Sequence, residues 1–275
     1  MSETDIYQGV AWDPGSISYG SYLKLPELLG LQQPLSAEHD EVLFIVIHQA
    51  KELWLKLCLH ELEAARRQVR ADELEPAFKM MSRVARIQAQ MIQSWEILAT
   101  MTPSDYSRFR GKLGASSGFQ SHQYRLLEFV LGAKNPAMLR PHEASPQVHA
   151  ALLTALREPS LYDESLRLLA RRGFAVPAEK LERDWSEPYH ASPEVEAAWL
   201  EVYRDPEEHW DLYELAEKLV DLEYRLQQWR FVHLKTVERI IGFKRGTGGS
   251  AGAAYLAKVL EKGFFPELLS LRTSI

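Results

Sequence analysis

Residues 206–243 read PEEHWDLYELAEKLVDLEYRLQQWRFVHLKTVERIIGF, and their spacing decides the fold class. Leu212, Leu219, Leu226, His233 and Ile240 recur at heptad intervals. Leu215, Leu222, Trp229, Thr236 and Phe243 fill the positions three further on. Two apolar positions per heptad form one continuous stripe along a helix. The pattern predicts a single helix from Pro206 to about Phe243, roughly 55 Å long. The glycine-rich run Gly246-Thr247-Gly248-Gly249-Ser250 ends it.

Further toward the N-terminus the helical period repeats. Between Glu38 and Arg70 the apolar residues Leu43, Phe44, Ile47, Trp54, Leu55, Cys58 and Leu62 share a face. Met81, Val84, Met91, Trp95 and Leu98 do the same between Asp72 and Thr100, where Pro76 is tolerated only in the first turn. Thr102-Pro103-Ser104-Asp105 is a helix start. Gly118 and Gly132 bracket another helical segment. Residues 133–192 carry several prolines and shorter helical stretches, and a last helix is expected at Ala253–Leu260. Strand signals are almost absent. The expected fold is an all-α helical bundle built round two long helices. Residues 1–24, rich in Gly, Ser and Tyr and without periodicity, read as an extended N-terminal arm. Residues 25–275 read as one domain.

Composition narrows the classes. Of 275 residues 46% are hydrophobic and 25% charged, as in ordinary globular proteins. Lys and Arg number 32 against 38 Asp and Glu, a net charge of -6 that argues against nucleic-acid or anionic-membrane partners. A single cysteine, Cys58, excludes a disulfide framework and Cys-based zinc sites, and a buried helical thiol is its expected state. The opening MSETDIYQGVAWDPGS is acidic and polar, unlike a signal peptide. No apolar run reaches the ~18 residues of a membrane span. A soluble cytoplasmic protein is expected.

Four features carry chemistry. His233 interrupts an apolar stripe: it is either a core histidine with one hydrogen-bonded nitrogen or a metal or haem ligand between helices. His48 shares a face with Phe44 in FIVIHQAKELW and poses the same choice. Two histidines fall short of a zinc site. The one Glu-x-x-His, Glu187 to His190, is too few for a di-iron bundle and is broken by Pro188. Haem needs only one protein ligand. Tyr106 and Arg110 lie four apart on one helical face, as a surface Arg laid over Tyr or as a fork for a carboxylate. Gly246 to Ala251 spells G-x-G-x-x-A, but a dinucleotide fingerprint follows a strand and this run follows a helix. A flexible helix end or a ligand-meeting lid remain for it.

Together, FIVIHQAKELWLKL (44–57), TPSDYSRFRGKLGASSGFQS (102–121), WRFVHLKTVERIIGFKRGTGGS (229–250) and FFPEL (264–268) resemble the tryptophan 2,3-dioxygenase family over about Tyr19 to Arg272. The resemblance implies an all-α, homotetrameric enzyme with one haem b per subunit. Such an enzyme opens the indole ring of L-tryptophan with O2 to N-formyl-L-kynurenine, the first step of tryptophan catabolism through kynurenine. It implies His233 as the axial iron ligand with Trp95 beside the cofactor, and His48 on the distal side facing the indole N–H. It places Phe44, Ile45, Val46 and Ile47 against the substrate, with Leu113, Ser117 and Gly118 lining the pocket. Tyr106 and Arg110 become the carboxylate pair and Thr247 a contact to the substrate's ammonium and carboxylate. Tyr19 and Tyr22, in YGSYLKLPELL, match an arm that covers a neighbouring subunit's site. His122 departs from the block GFQSxQYR, where the family often has an apolar residue. An indoleamine dioxygenase and a non-catalytic haem sensor of indole or tryptophan are the alternatives.

Overall fold

The computed structural model describes residues 15–275, and contacts divide the chain after Pro34. Of the expected arm, residues 1–14 lie outside the described residues. From Tyr19 to Leu23 the arm is not extended but forms a short helix, α1. Its cause is local. Ser18 and Ser21 cap each other reciprocally, Ser21 N–H donating to Ser18 Oγ at 3.2 Å and Ser18 N–H to Ser21 Oγ at 3.0 Å. Lys24, in the left-handed region at φ 53°, turns the chain into α2 (Leu25–Leu29), with Pro26 in the first turn. Tyr19 and Tyr22 are exposed within this first unit.

The second unit, from Leu35 on, is all helical among the described residues. Three long helices carry it, where the apolar period recurs in the sequence: α3 (His39–Arg70, 32 residues), α4 (Leu74–Leu98, 25 residues) and, after the shorter helices, α11. The shorter ones are α5 (Pro103–Arg110), α6 (His122–Leu131), α7 (Pro146–Arg157), α8 (Leu161–Arg171), α9 (Ala178–Leu181) and α10 (Pro193–Arg204). The chain then runs through α11 (Trp210–Ile241, 32 residues), α12 (Ala253–Leu260) and α13 (Pro266–Ser270). The helix α4 packs on both α3 and α11, so it is the middle layer. α5, α6 and α8 pack on α3, and α12 packs on α11.

The stripe of α11 is buried as its spacing requires: Leu212, Leu215, Leu219, Leu222 and Leu226 are all in the core. Each such leucine contributes about 1.5–3 kcal/mol by leaving water. The stripe stops one residue early, after the buried Ile240. Gly242 at φ 61° ends the helix, and Phe243, expected on the stripe, is 91% exposed beyond it. On α3, Trp54 likewise turns outward while Leu55, Cys58 and Leu62 are buried. The helix α10, for which the sequence pattern offered no expectation, buries Val195, Trp199 and Val202.

Buried carboxylates fix the surroundings of α11. Glu223 accepts the backbone N–H groups of Phe264 and Phe265, both at 2.9 Å. Glu267 accepts from Tyr162 Oη (2.7 Å), Tyr189 Oη (2.5 Å) and Ser192 N–H (2.9 Å). The FFPEL block is therefore a structural clasp. Arg230 donates to Tyr124 Oη and Glu128 at 3.0 Å and to the carbonyls of Val259 and Lys262. It ties α6 and the end of α12 to α11 one turn before His233.

Candidate active site

Two helices from opposite sides of α4 supply the histidines. On α3, Phe44 and His48 are one turn apart and their rings meet at 4.2 Å. Phe44 also lies 5.9 Å from Tyr106 and 5.7 Å from Phe109, both on α5. On α11, His233 stacks on Trp95 of α4 at 4.4 Å and 11°, and Trp229, one turn earlier, is 5.3 Å away. Trp229 in turn stacks on Tyr124 at 5.2 Å. Lys51, one turn past His48, lays its Nζ 2.7 Å from the centroid of Trp95 and so joins the two groups.

Electrostatics keep both imidazoles neutral. Burial, and next the charge of Lys51, push His48 down to about 4, although its bond to the Phe44 carbonyl pulls the other way. Burial, then Lys51 and His48, push His233 down to about 3. His48 Nδ1 is 2.7 Å from the carbonyl oxygen of Phe44. A carbonyl only accepts, so in neutral His48 the proton is on Nδ1 and Nε2 offers a lone pair. Among the described residues His233 has ring contacts and no hydrogen bond. A neutral imidazole with a free lone pair is the form that ligates a metal.

The residues around it fit a planar aromatic cofactor. Nζ of Lys51 and Nε1 of Trp95 and Trp229 are buried polar atoms without a hydrogen-bond partner. In a finished core such atoms are rare, and here three gather round one imidazole. Among the described residues no three of His, Cys, Asp and Glu gather where they could hold a metal ion. A group that takes one imidazole and brings acceptors to these buried donors matches the set.

A second cluster borders Phe44. Thr102 and Asp105 form the capping box that starts α5, and this helix carries Tyr106 and Arg110. Arg110 Nη2 donates to the carbonyl of Arg245 at 2.6 Å, while its Nε is buried without a partner. Burial raises the Tyr106 phenol against the pull of Arg110, so it stays a donor. Thr247 donates to the carbonyl of Ser116. A Cβ on Gly248 would come within 2.6 Å of Ser117 Cβ, so glycine there permits the close approach of the two loops. The 246–250 run is thus a loop folded onto 115–118, and Arg110 is more than a surface residue laid on tyrosine.

The structure brings together Phe44, His48, Tyr106, Arg110, Thr247 and Ser117 on one side and Trp95 and His233 on the other. Leu113 packs on the core beside α5, and Gly118 is exposed in the loop. Ile47 is buried and Ile45 half-buried, but Val46 is 43% exposed, since two residues along a helix turn it away from Phe44. Lys51, Phe109, Tyr124, Trp229 and Arg230 escaped the sequence reading as site residues. Lys51 had one signal, its position three residues after His48 and four before Leu55 on the apolar face.

The chain matches the family model described as Tryptophan 2,3-dioxygenase over residues 6–275. Relatives named tryptophan 2,3-dioxygenase include one from Erythrobacter litoralis, 64% identical over 94% of this chain and 98% of its own length. One from Cupriavidus necator is 58% identical over 98% of this chain and 93% of its own. A relative from Ralstonia nicotianae, named tryptophan 2,3-dioxygenase 1, is 60% identical over 94% and 88%.

Proposed function

The chain belongs to the tryptophan 2,3-dioxygenase family, and from that premise we propose that it adds both atoms of O2 to the indole C2–C3 bond of L-tryptophan, giving N-formyl-L-kynurenine. The observation that carries this is the neutral, unpartnered imidazole of His233 between Trp95 and Trp229, one layer from His48. The haem sensor and the indoleamine dioxygenase are not favoured, because the family match spans the chain.

His233 would hold the iron of a haem b, with Trp95 against the macrocycle. That cofactor, when bound, supplies O2 activation. The protein supplies the rest. Phe44 packs on the indole, and His48 Nε2, the lone-pair nitrogen, accepts a hydrogen bond from the indole N–H. An imidazole held at about 4 is a weak base, so His48 positions that N–H and does not remove its proton. Tyr106 and the free edge of Arg110 take the carboxylate, and the Thr247 loop closes over the amino-acid end. Aromatic walls keep water out of the reacting space. Leu113, Ser117 and Gly118 complete the pocket.

The assembly belongs to the same proposal: a cytoplasmic homotetramer in which Tyr19 and Tyr22 cover a neighbour's site. No helix among the described residues is long and apolar enough to cross a membrane.

A visible absorption spectrum of the purified protein, with product analysis after aerobic incubation with L-tryptophan, tests the function. A Soret band, its loss in His233→Ala, and formation of N-formyl-L-kynurenine are expected. Wild-type protein that takes up no supplied haem, or His233→Ala with an unchanged Soret band and full activity, overturns it.

A further inference from the structure

Five lysine and arginine side chains are buried among the described residues: Lys51, Arg66, Arg125, Lys134 and Arg230. Four have partners. Arg66 pairs with Glu63 and Glu158, Arg125 and Arg230 both pair with Glu128, and Lys134 donates to the carbonyls of Ala155 and Glu158. Lys51 is 5% exposed and its Nζ has no hydrogen-bond partner and no carboxylate. Its neighbour Glu52 is held by Gln123 at 2.8 Å. The face of Trp95 is its only counterpart, and a ring quadrupole offsets part of what an ammonium loses on leaving water. Burial without an anion pushes the Lys51 ammonium down to about 6, so the group as it stands favours the neutral amine, and a carboxylate brought to Nζ would restore the charged form.

Its place says which anion. Lys51 is one turn past His48 on α3, whereas Phe44, with Tyr106 and Arg110 beyond it, is one turn before. The two basic groups therefore serve opposite ends of the region facing His48. On the function proposed above, two carboxylate-bearing molecules enter: the amino acid, whose carboxylate Arg110 takes, and a porphyrin with two propionates. We propose that the Lys51 ammonium is a carboxylate anchor of the cofactor cavity, pairing with a porphyrin propionate at the end remote from Arg110. It sets cofactor retention and orientation and takes no part in the chemistry.

The test compares loss of haem, and of haem dimethyl ester, from loaded wild type, Lys51→Met and Lys51→Arg to excess apomyoglobin. Wild type should lose the ester about tenfold faster than the free acid, the scale of one charged hydrogen bond. Lys51→Met should bring the two rates to within a factor of about two, and Lys51→Arg should restore most of the difference. Loaded with the dimethyl ester, which offers Lys51 no carboxylate, Lys51→Met only removes a buried polar group without a hydrogen-bond partner, so its melting temperature should equal or exceed that of ester-loaded wild type. A lower melting temperature with equal acceleration of both cofactors would mark Lys51 as merely structural and overturn the proposal. A second arm reads binding of L-tryptophan and tryptamine from the haem spectrum. If Lys51→Met leaves the haem ratio intact but narrows the preference for L-tryptophan, the carboxylate is the substrate's. If it moves neither ratio, Lys51 anchors no carboxylate. Wild type that binds no haem is a different result, and it fails the function proposed above.

Discussion

Arg110→Lys keeps the charge and removes the fork. In wild type Nη2 is committed to the Arg245 carbonyl at 2.6 Å, and the Nε edge is unpartnered. One guanidinium thus holds the 246–250 loop with one nitrogen and presents the rest to a carboxylate. An ammonium is a single point and cannot span both. Charged hydrogen bonds contribute roughly 1.5–3 kcal/mol each when desolvated, and Arg110 is only half-buried, so about 1–2 kcal/mol each is the better figure. Losing one carboxylate bond and the loop bond costs about 2–4 kcal/mol, or ~30- to 1000-fold in kcat/KM for L-tryptophan. Tryptamine has no carboxylate and feels only the loop bond, about five- to thirtyfold. The preference for L-tryptophan should therefore shrink by roughly one order of magnitude or more. The assay is turnover of both compounds by both proteins, normalised to haem absorbance. Equal wild-type turnover of the two, or an unchanged ratio in the variant, would refute the assignment of Arg110 to the carboxylate.

Other outcomes follow from the same geometry. His48→Ala should keep its haem and lose about five- to tenfold in rate, since one hydrogen bond to a neutral N–H contributes about 1 kcal/mol; complete haem loss would mean the two faces are reversed. His48 is held at about 4, so its protonation should appear in the pH profile of kcat/KM only below about pH 5; a limb near 6.5 that vanishes in His48→Ala would contradict this. Arg230→Met removes one partner of Glu128 and of Tyr124, and should lower unfolding stability by about 3–5 kcal/mol in urea; a loss under 1 kcal/mol would show that other bonds hold α6 and α12. Deleting residues 1–24 should raise KM for L-tryptophan more than it lowers haem content, and an unchanged KM would count against a shared site.

Periodicity along the chain settled the all-α class. The heptad stripe of α11, the Thr102-Pro103 start and the glycine-rich stop after Gly242 are local signals, and helices answer to local signals because their hydrogen bonds are local. The blocks around His48, Tyr106, His233 and Thr247 were legible in the same way, as short ungapped strings. What periodicity reports is which side of a helix faces inward, not what it meets there. Only packing placed α4 between α3 and α11, so that Trp95 stacks on His233 and receives Lys51. Only packing set Arg230 against Glu128, about a hundred residues apart in sequence. Phe243 shows the same limit from the other side: its spacing fits the stripe, yet the left-handed φ of Gly242 turns the chain before it. The short helix at Tyr19 came from a two-serine cap too small to register as a period. The ion pairs of Arg66 with Glu158 and of Arg230 with Glu128, the loop latch of Thr247 on Ser116 and the seat of Lys51 on Trp95 depend on groups far apart in the chain. Their energies exist only once the backbone has brought those groups within hydrogen-bond reach.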